Sequence, residues 1–379
     1  MKIYYWSPFF TNIATSKAVI RSAESLVKFY KKEKITVALI DSIGEWDKFE
    51  KQINKNINII KLNKIKLLNY LPKNGFIKSR ISYLVIFFWN IMKLKNLINK
   101  EEPNFLIIHL MTSLPIFLTL FFNKKTKIIL RISGLPKINL LRFLFWKIFA
   151  NKIDKITCPT KATYDFIIKK KIFKKEKLSV LSDPIINMEE FLVKKKDLLL
   201  PNKIKNVEFI IGIGRLTKQK NFALLINFFI GISNKYKDIH LVIVGEGEQK
   251  EALKKIILNA NIENRVHLLG HQDNVFKFLL KAKCFILSSL WEDPGFVLVE
   301  AALTNTSIIS SNCPNGPEEI ISNNDFLFTN GSSDDLLTKF QIYKNKNAID
   351  LVNQKIRNKK KIKFYTLFQH YKGLNSILS

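Results

Sequence analysis

Cysteine is scarce in this 379-residue chain: Cys158, Cys284 and Cys313 stand alone, with no close pair. So sparse a set offers neither a disulfide framework nor a zinc ligand group, and it suits a reducing cytosol. Only five histidines occur. None forms an HExxH motif, and no DxD triplet is present, so no cofactor and no resident metal are expected. The opening residues MKIYYWSPFF lack the apolar core and small-residue cleavage site of a signal peptide, which predicts a cytoplasmic location. The longest apolar stretch, Phe105 to Phe122, is interrupted by His109, Thr112, Ser113 and Pro115. It reads as a buried strand, a loop and a helix rather than a membrane span.

Negative charge is also short. The chain holds 62 Lys and Arg against 31 Asp and Glu, a net charge of +31. Residues 1–200 carry 38 basic and 15 acidic side chains; residues 201–379 carry 24 and 16. Between Glu50 and Glu101 there are 11 basic side chains and no acidic one. Lysine-rich codon usage raises lysine everywhere, but it does not clear carboxylates from one segment. Such a segment calls for an anionic partner. Aromatic and aliphatic residues are mixed with the charges in Phe76 to Arg80 and Leu140 to Lys152, and the apolar run Tyr83 to Met92 lies between Arg80 and Lys93. That mixture fits an anionic membrane surface better than a nucleic-acid groove, and no RNA- or DNA-binding signature accompanies it. A peripheral site on the inner face of the cell membrane is therefore expected, with no nucleic acid as partner.

What is present in the second half is a regular alternation. Apolar runs at Phe209–Ile213, His240–Val244, Val266–Leu269, Cys284–Leu287 and Ser307–Ile309 have strand length, and segments such as Phe222–Tyr236 and Gln249–Ile257 have helical spacing. Strands alternating with helices predict parallel βαβ units, with ligands held beyond the strands' carboxyl ends. The first half repeats the rhythm with strands at Lys2–Trp6, Thr36–Ile40, Ile57–Ile60, Phe105–Ile108, Lys127–Ile132 and Ile156–Cys158. Helices are predicted over Ser16–Tyr30, Ser79–Asn99 and Ile138–Phe149. The pattern breaks from Asp183 to Lys205, which places the domain junction there: 1–190, then 191–360. Nine of 13 glycines fall between Gly212 and Gly331, several directly after strands. Glycine there lets backbone approach a phosphate, so the phosphate site is expected in the second domain.

The chemistry is concentrated in four segments of that domain. Gly212-Ile213-Gly214-Arg215-Leu216 ends one strand, with Lys220 just beyond. Val244-Gly245-Glu246-Gly247 ends the next, and Val266 to Gly270 a third. Then comes SSLWEDPGFVLVEA, residues 288–301. A guanidinium and an ammonium leaving one strand end suit a diphosphate, which takes several charge-assisted hydrogen bonds. Each could equally be a surface cation. Pro294 and Gly295 predict a loop and a helix starting near Phe296, whose free N–H groups form an anion site. Glu292 on the loop and Glu300 in the helix would then hold sugar hydroxyls.

These segments, together with CPNGPEEII at 313–321, resemble the retaining glycosyltransferase family 4, over residues 207–321. The resemblance implies an α/β chain of the GT-B fold, two Rossmann-like domains facing each other across a cleft, with a C-terminal helix at 361–379 packing back on the first. It implies a retaining, metal-independent hexosyl transfer from a nucleotide-sugar donor to a glycan or lipid-linked acceptor, in polysaccharide or lipopolysaccharide biosynthesis. Arg215, Lys220 and Glu292 would be catalytic. Gly214, Gly270, Phe296, Val297, Leu298 and Glu300 would complete the donor site, with Glu300 on the ribose. Gly316 and Glu319 match a later glycine-acid element of the family. On the acceptor side the first loop, Ser7 to Thr15, lacks the family's glycine pair, and the usual histidine is replaced by Leu130-Arg131-Ile132-Ser133-Gly134. Asn12, His109, Arg131 and Ser133 are the candidates there. An epimerase of the same fold, a degenerate family member and a basic nucleic-acid-binding protein remain as alternatives.

Overall fold

The computed structural model describes residues 1–10, 14–72, 76–122, 125–321 and 324–379. The chain divides into two units: Met1–Pro184 with Leu367–Ser379, and Ile185–Thr366. The sequence boundaries shift accordingly. Residues 185–190 and 361–366 belong with the second unit, because the Ile186 N–H bonds the Tyr365 carbonyl at 2.9 Å and Ile186 bridges Thr366.

In the first unit the strands are β1 (Lys2–Trp6), β2 (Thr36–Asp41), β3 (Ile57–Lys61), β4 (Phe105–Ile108), β5 (Lys127–Arg131), β6 (Lys155–Cys158) and β7 (Leu178–Val180). They form one sheet in the order β3-β2-β1-β4-β5-β6-β7, every pairing parallel. The helices between them are α1 (Ala14–Phe29), α2 (Phe76–Glu101), α3 (Ser113–Leu118), α4 (Leu140–Phe149) and α5 (Lys161–Lys169). Strands such as KIYYW and FLII are apolar at nearly every position because helices cover both faces. Successive side chains alternate between the two. Tyr4, Trp6, Leu106 and Ile108 face a core completed by Leu94 and Ile98 of α2 and by Trp146 and Phe149 of α4. Ile3, Tyr5, Phe105 and Ile107 face the opposite core, with Val19 and Leu26 of α1.

The second unit contains α6 (Met188–Lys194), β8 (Glu208–Ile213), α7 (Phe222–Ser233), β9 (Ile239–Val244), α8 (Lys250–Asn259), β10 (Val266–Leu268), α9 (Phe276–Lys281) and β11 (Cys284–Leu287). There follow α10 (Phe296–Leu303), β12 (Ile308–Ser311), α11 (Pro317–Ile320), β13 (Leu327–Phe328), α12 (Ser333–Asn345) and α13 (Ala348–Lys361). Its sheet runs β10-β9-β8-β11-β12-β13, again parallel throughout. β8 is central: the chain leaves it towards β9 on one side, then returns to place β11 on the other. That reversal opens a crevice beyond the carboxyl ends of β8 and β11.

The last helix, α14 (Leu367–Leu378), returns to the first unit and packs on α1. Phe29 meets Phe368 and Tyr371 with ring centres 5.3 and 5.7 Å apart, and Leu374 and Leu378 enter the core. Its His370 is buried and fixed at both nitrogens. Nδ1 donates to the Ser182 carbonyl at 2.7 Å, which leaves Nε2 to accept from the Ser22 hydroxyl at 2.8 Å. Burial, then the neighbouring Arg131 charge, lowers its pKa to about 3. Below the unfolded value of about 6.5 the unfolded chain takes up a proton that the folded one refuses, so stability falls as pH falls. Urea unfolding between pH 5.5 and 4.5 should lose about 1.4 kcal/mol per pH unit from this residue. His370→Gln is expected to remove that part of the slope; an unchanged slope would contradict the assignment.

Candidate functional site

The crevice of the second unit is built from loops that hydrogen bonds lock together. Gly214 N–H donates to the Val244 carbonyl at 3.0 Å and Gly245 N–H to the Gly270 carbonyl at 2.8 Å, so the ends of β8, β9 and β10 close on one another. A Cβ on Gly245, which sits at φ +146°, would lie 1.8 Å from the Gly214 carbonyl oxygen. Only glycine fits there. The loop after β8 is tied to the loop after β11: Leu290 N–H bonds the Gln219 carbonyl at 2.8 Å, Gln219 Nε2 the Trp291 carbonyl at 2.9 Å, and Ser288 Oγ the Lys220 carbonyl at 2.8 Å.

This clamp brings Lys220 and Glu292 together across 72 residues of sequence. Lys220 Nζ lies 2.5 Å from Glu292 Oε1, with side-chain exposures of 14% and 4%. Ser289 Oγ donates to the same oxygen at 2.5 Å. Both contacts fall on Oε1, so Oε2 remains for a ligand hydroxyl. An ammonium has three donors; one is committed to Glu292. The Glu292 backbone is pinned by Pro314 and Asn315, at 3.1 and 3.0 Å. A Cβ on Gly316 would come within 2.1 Å of the Pro294 carbonyl, so the 313–316 loop seats directly against the 292–295 turn.

Helix α10 starts at Phe296, as the Pro-Gly pair predicted. Its N-cap Gly295 adopts φ +88° and gives no side-chain cap. Leu298 N–H turns back to the Gly295 carbonyl at 3.0 Å. The N–H groups of Phe296 and Val297 have no intrahelical acceptor, by the geometry of any helix start. They can therefore serve an anion. Glu300 follows one turn later and is half-buried. Arg215 is exposed at the rim. Cys313 lies near this pair, but burial pushes its thiol up to about 11. Cys158 and Cys284 are likewise buried and raised, so none of the three is a poised nucleophile. Among the described residues no group of three or more His, Cys, Asp or Glu could hold a metal.

The acceptor-side candidates separate. Asn12 lies outside the described residues. Arg131 is an interior residue: it pairs with Asp183 and donates to the Leu181 carbonyl at 3.1 Å, with 3% of its side chain exposed. Its guanidinium ties the end of β5 to the chain leaving β7, which corrects the expectation of a substrate ligand. His109 and Ser133 are different. His109 follows β4, its N–H on the Trp6 carbonyl at 2.9 Å. Both ring nitrogens are buried without a protein partner. Burial, then the Arg131 charge, holds its pKa well below the usual range, so the ring is neutral. The hydroxyls of Ser133 and Ser7 are also buried and unpartnered. Strands β1, β4 and β5 are adjacent, with Trp6, Ile108 and Leu130 in register. Three unsatisfied polar side chains thus collect at neighbouring strand ends. Buried polar groups are nearly always hydrogen-bonded, so this end of the sheet has bonds to give.

Sequence reasoning missed Ser7, Ser289, Gln219 and Asn315 as site residues. Ser289 stood inside a quoted motif, and the spacing Ser-x-x-Glu was its only local signal. A broad hollow of about 580 Å³ beside β7 holds Lys161 paired to Asp165 and no comparable constellation.

Residues 196–376 match the family described as Glycosyl transferases group 1. An uncharacterized glycosyltransferase of Methanocaldococcus jannaschii is 43% identical over 120 residues, 32% of this chain and 30% of that protein. The N-acetylgalactosamine-N,N'-diacetylbacillosaminyl-diphospho-undecaprenol 4-alpha-N-acetylgalactosaminyltransferase of Campylobacter jejuni is 27% identical over 214 residues, 54% of this chain and 56% of that protein. The chain thus spans between 30% and 56% of the length of these curated relatives. The crystal structure of Anabaena HepE in complex with UDP-glucose superposes with a TM-score of 0.71, covering 99% of each chain at 15% identity. That likeness shows the fold, two Rossmann-like domains of the GT-B class. The match to the glycosyl transferases group 1 lies in the second unit and the chain's last helix, over residues 196–376.

Proposed function

We propose that this protein is a retaining, metal-independent glycosyltransferase that moves a sugar from a nucleotide-sugar donor to a hydroxyl of a lipid-linked glycan. The observation that carries the reading is the Lys220–Glu292 pair beside the uncapped start of α10, at the point where the strand order reverses. Arg215, the free donors of Lys220 and the N–H groups of Phe296 and Val297 would hold the diphosphate and stabilise it as it departs, whereas the Leu298 N–H, expected to join them, is taken by the Gly295 carbonyl. Glu300 would take the ribose hydroxyls and Glu292 those of the transferred sugar, while Gly270 lets backbone approach the base. The anomeric carbon–phosphate oxygen bond breaks as the acceptor oxygen bonds that carbon from the same side, and the acceptor proton passes to the departing phosphate. Neutral His109, Ser133 and Ser7 would bind hydroxyls of the acceptor. The Campylobacter relative's name, with its diphospho-undecaprenol acceptor, and the UDP-glucose bound by Anabaena HepE support the substrate classes. Assembly of a surface polysaccharide at the cytoplasmic membrane face is the role in keeping with them.

Thermal unfolding with a panel of UDP-, GDP-, ADP- and TDP-sugars tests this. One nucleotide series at about 100 times its Kd should add about 2.7 kcal/mol, and Glu300→Ala should lose most of the shift. Stabilisation by none of them would remove the donor from the account. Release of free sugar without an acceptor would favour an epimerase.

A further inference from the structure

The first unit carries an apolar surface that the fold leaves uncovered. The acid-poor region is wider than residues 51–100: residues 51–153 hold 19 basic side chains and only two acidic ones, Glu101 and Glu102. Both are taken, Glu101 by Lys2 at 3.2 Å and Glu102 by Lys125 at 2.9 Å. Helices α2 and α4 lie in this region. Both pack on the same face of the sheet, through Leu94 and Ile98 and through Trp146 and Phe149, while α1 and α14 occupy the other. Their outward sides therefore look the same way.

Those outward sides are not polar. Along α2, Leu84, Phe88 and Met92 repeat at one helical stripe, and each is more than half exposed. Along α4, Leu141, Leu144 and Ile148 form a second stripe, 76%, 46% and 74% exposed. A soluble surface does not usually keep two parallel apolar stripes in water. Cations flank them. Lys93 lies over the Trp89 ring at 4.9 Å, Lys95 over Phe121 at 5.3 Å, Arg142 over Trp146 at 5.8 Å and Lys147 over Phe143 at 5.6 Å. Charged heads held over aromatic rings beside exposed apolar side chains match the water–lipid boundary. Helix α2 is long and apolar enough to cross a bilayer, yet most of that length is unburied and its inner stripe is fixed to the sheet. A stripe committed to the sheet suits a helix lying along a bilayer better than one crossing it.

We infer that α2 and α4 form one docking face for an anionic lipid bilayer, the apolar stripes entering the headgroup region and the cations pairing with lipid phosphates. This deepens the proposed function by stating how a lipid-linked acceptor is met, but the docking face stands on its own residues.

The test is sedimentation of the full chain with vesicles of phosphatidylcholine and phosphatidylglycerol, against phosphatidylcholine alone. The protein should pellet with the anionic vesicles and release as salt rises. Leu141→Glu/Ile148→Glu and Arg142→Glu/Lys147→Glu should each lower the partition coefficient on the order of tenfold or more. Leu258→Glu/Ile349→Glu, exposed in the second unit, should leave it unchanged. Equal binding to both vesicle types, or binding indifferent to the first two variants, would overturn the inference. So would a dimer in solution that Leu141→Glu/Ile148→Glu dissolves, since a second copy would then cover the face. Donor-induced stabilisation, measured on the same samples, separates this outcome from failure of the proposed chemistry.

Discussion

Lys220→Met is expected to lower kcat/KM for sugar transfer on the order of 10²–10³-fold, the cost of removing one fixed charge donor from a developing oxyanion. The substitution also strands Glu292, whose side chain is only 4% exposed. Leaving one partner of a buried pair alone costs about 3–5 kcal/mol, so the variant should unfold earlier as well. Two effects from one change need separating, and the pair itself supplies the means. In Lys220→Met/Glu292→Gln the uncompensated charge is gone, and replacing both partners of a buried pair is often close to neutral. Denaturant unfolding should show much of the lost stability restored, while transfer stays as low as in the single variant. Recovery of both together would make the pair a structural brace and nothing more.

Gly245→Ala is expected to destabilise the second unit by about 3 kcal/mol, combining a positive-φ penalty with a backbone clash. The added methyl would meet the Gly214 carbonyl oxygen at 1.8 Å and its carbon at 2.8 Å. Neither is the end of a flexible side chain, so the strand ends must separate. For a unit of this size about 3 kcal/mol corresponds to a fall in Tm of about 6–12 °C. Calorimetry should find that fall. Donor binding should weaken with it, because the β8 and β9 loops would no longer close on each other. A Tm within about 2 °C of the parent would mean that the loops are not packed as described.

The local structure of the candidate donor site is legible in the sequence because its residues come in contiguous pieces. Strand, glycine turn and helix start follow one another at 212–221 and at 288–301, so order and spacing alone placed Lys220, Glu292 and the start of α10. What spacing could not reveal was that Lys220 and Glu292 touch. That depends on the clamp from Gln219 to Trp291, which joins two distant loops. The first unit is less legible because its polar groups come singly, one per strand end. Arg131 looked like a ligand, since Asp183, 52 residues later, was not recognisable as its partner. Asp183 sits in the stretch read as a junction. β7 and β13, of three and two residues, are too short for periodicity to register. α2 runs three residues earlier and two later than its apolar pattern suggested, because Phe76 and Glu101 continue the turn without a stop signal. The charge pattern was visible; its extension to residue 153 and the shared sheet face of α2 and α4 needed the fold.

The most direct test of the donor site is backbone hydrogen exchange with and without the stabilising nucleotide-sugar. The account predicts slowed exchange in peptides covering 214–221 and 295–301, strongest at the Phe296 and Val297 amides. Protection confined to the first unit, with these peptides unchanged while sugar is still transferred, would contradict it.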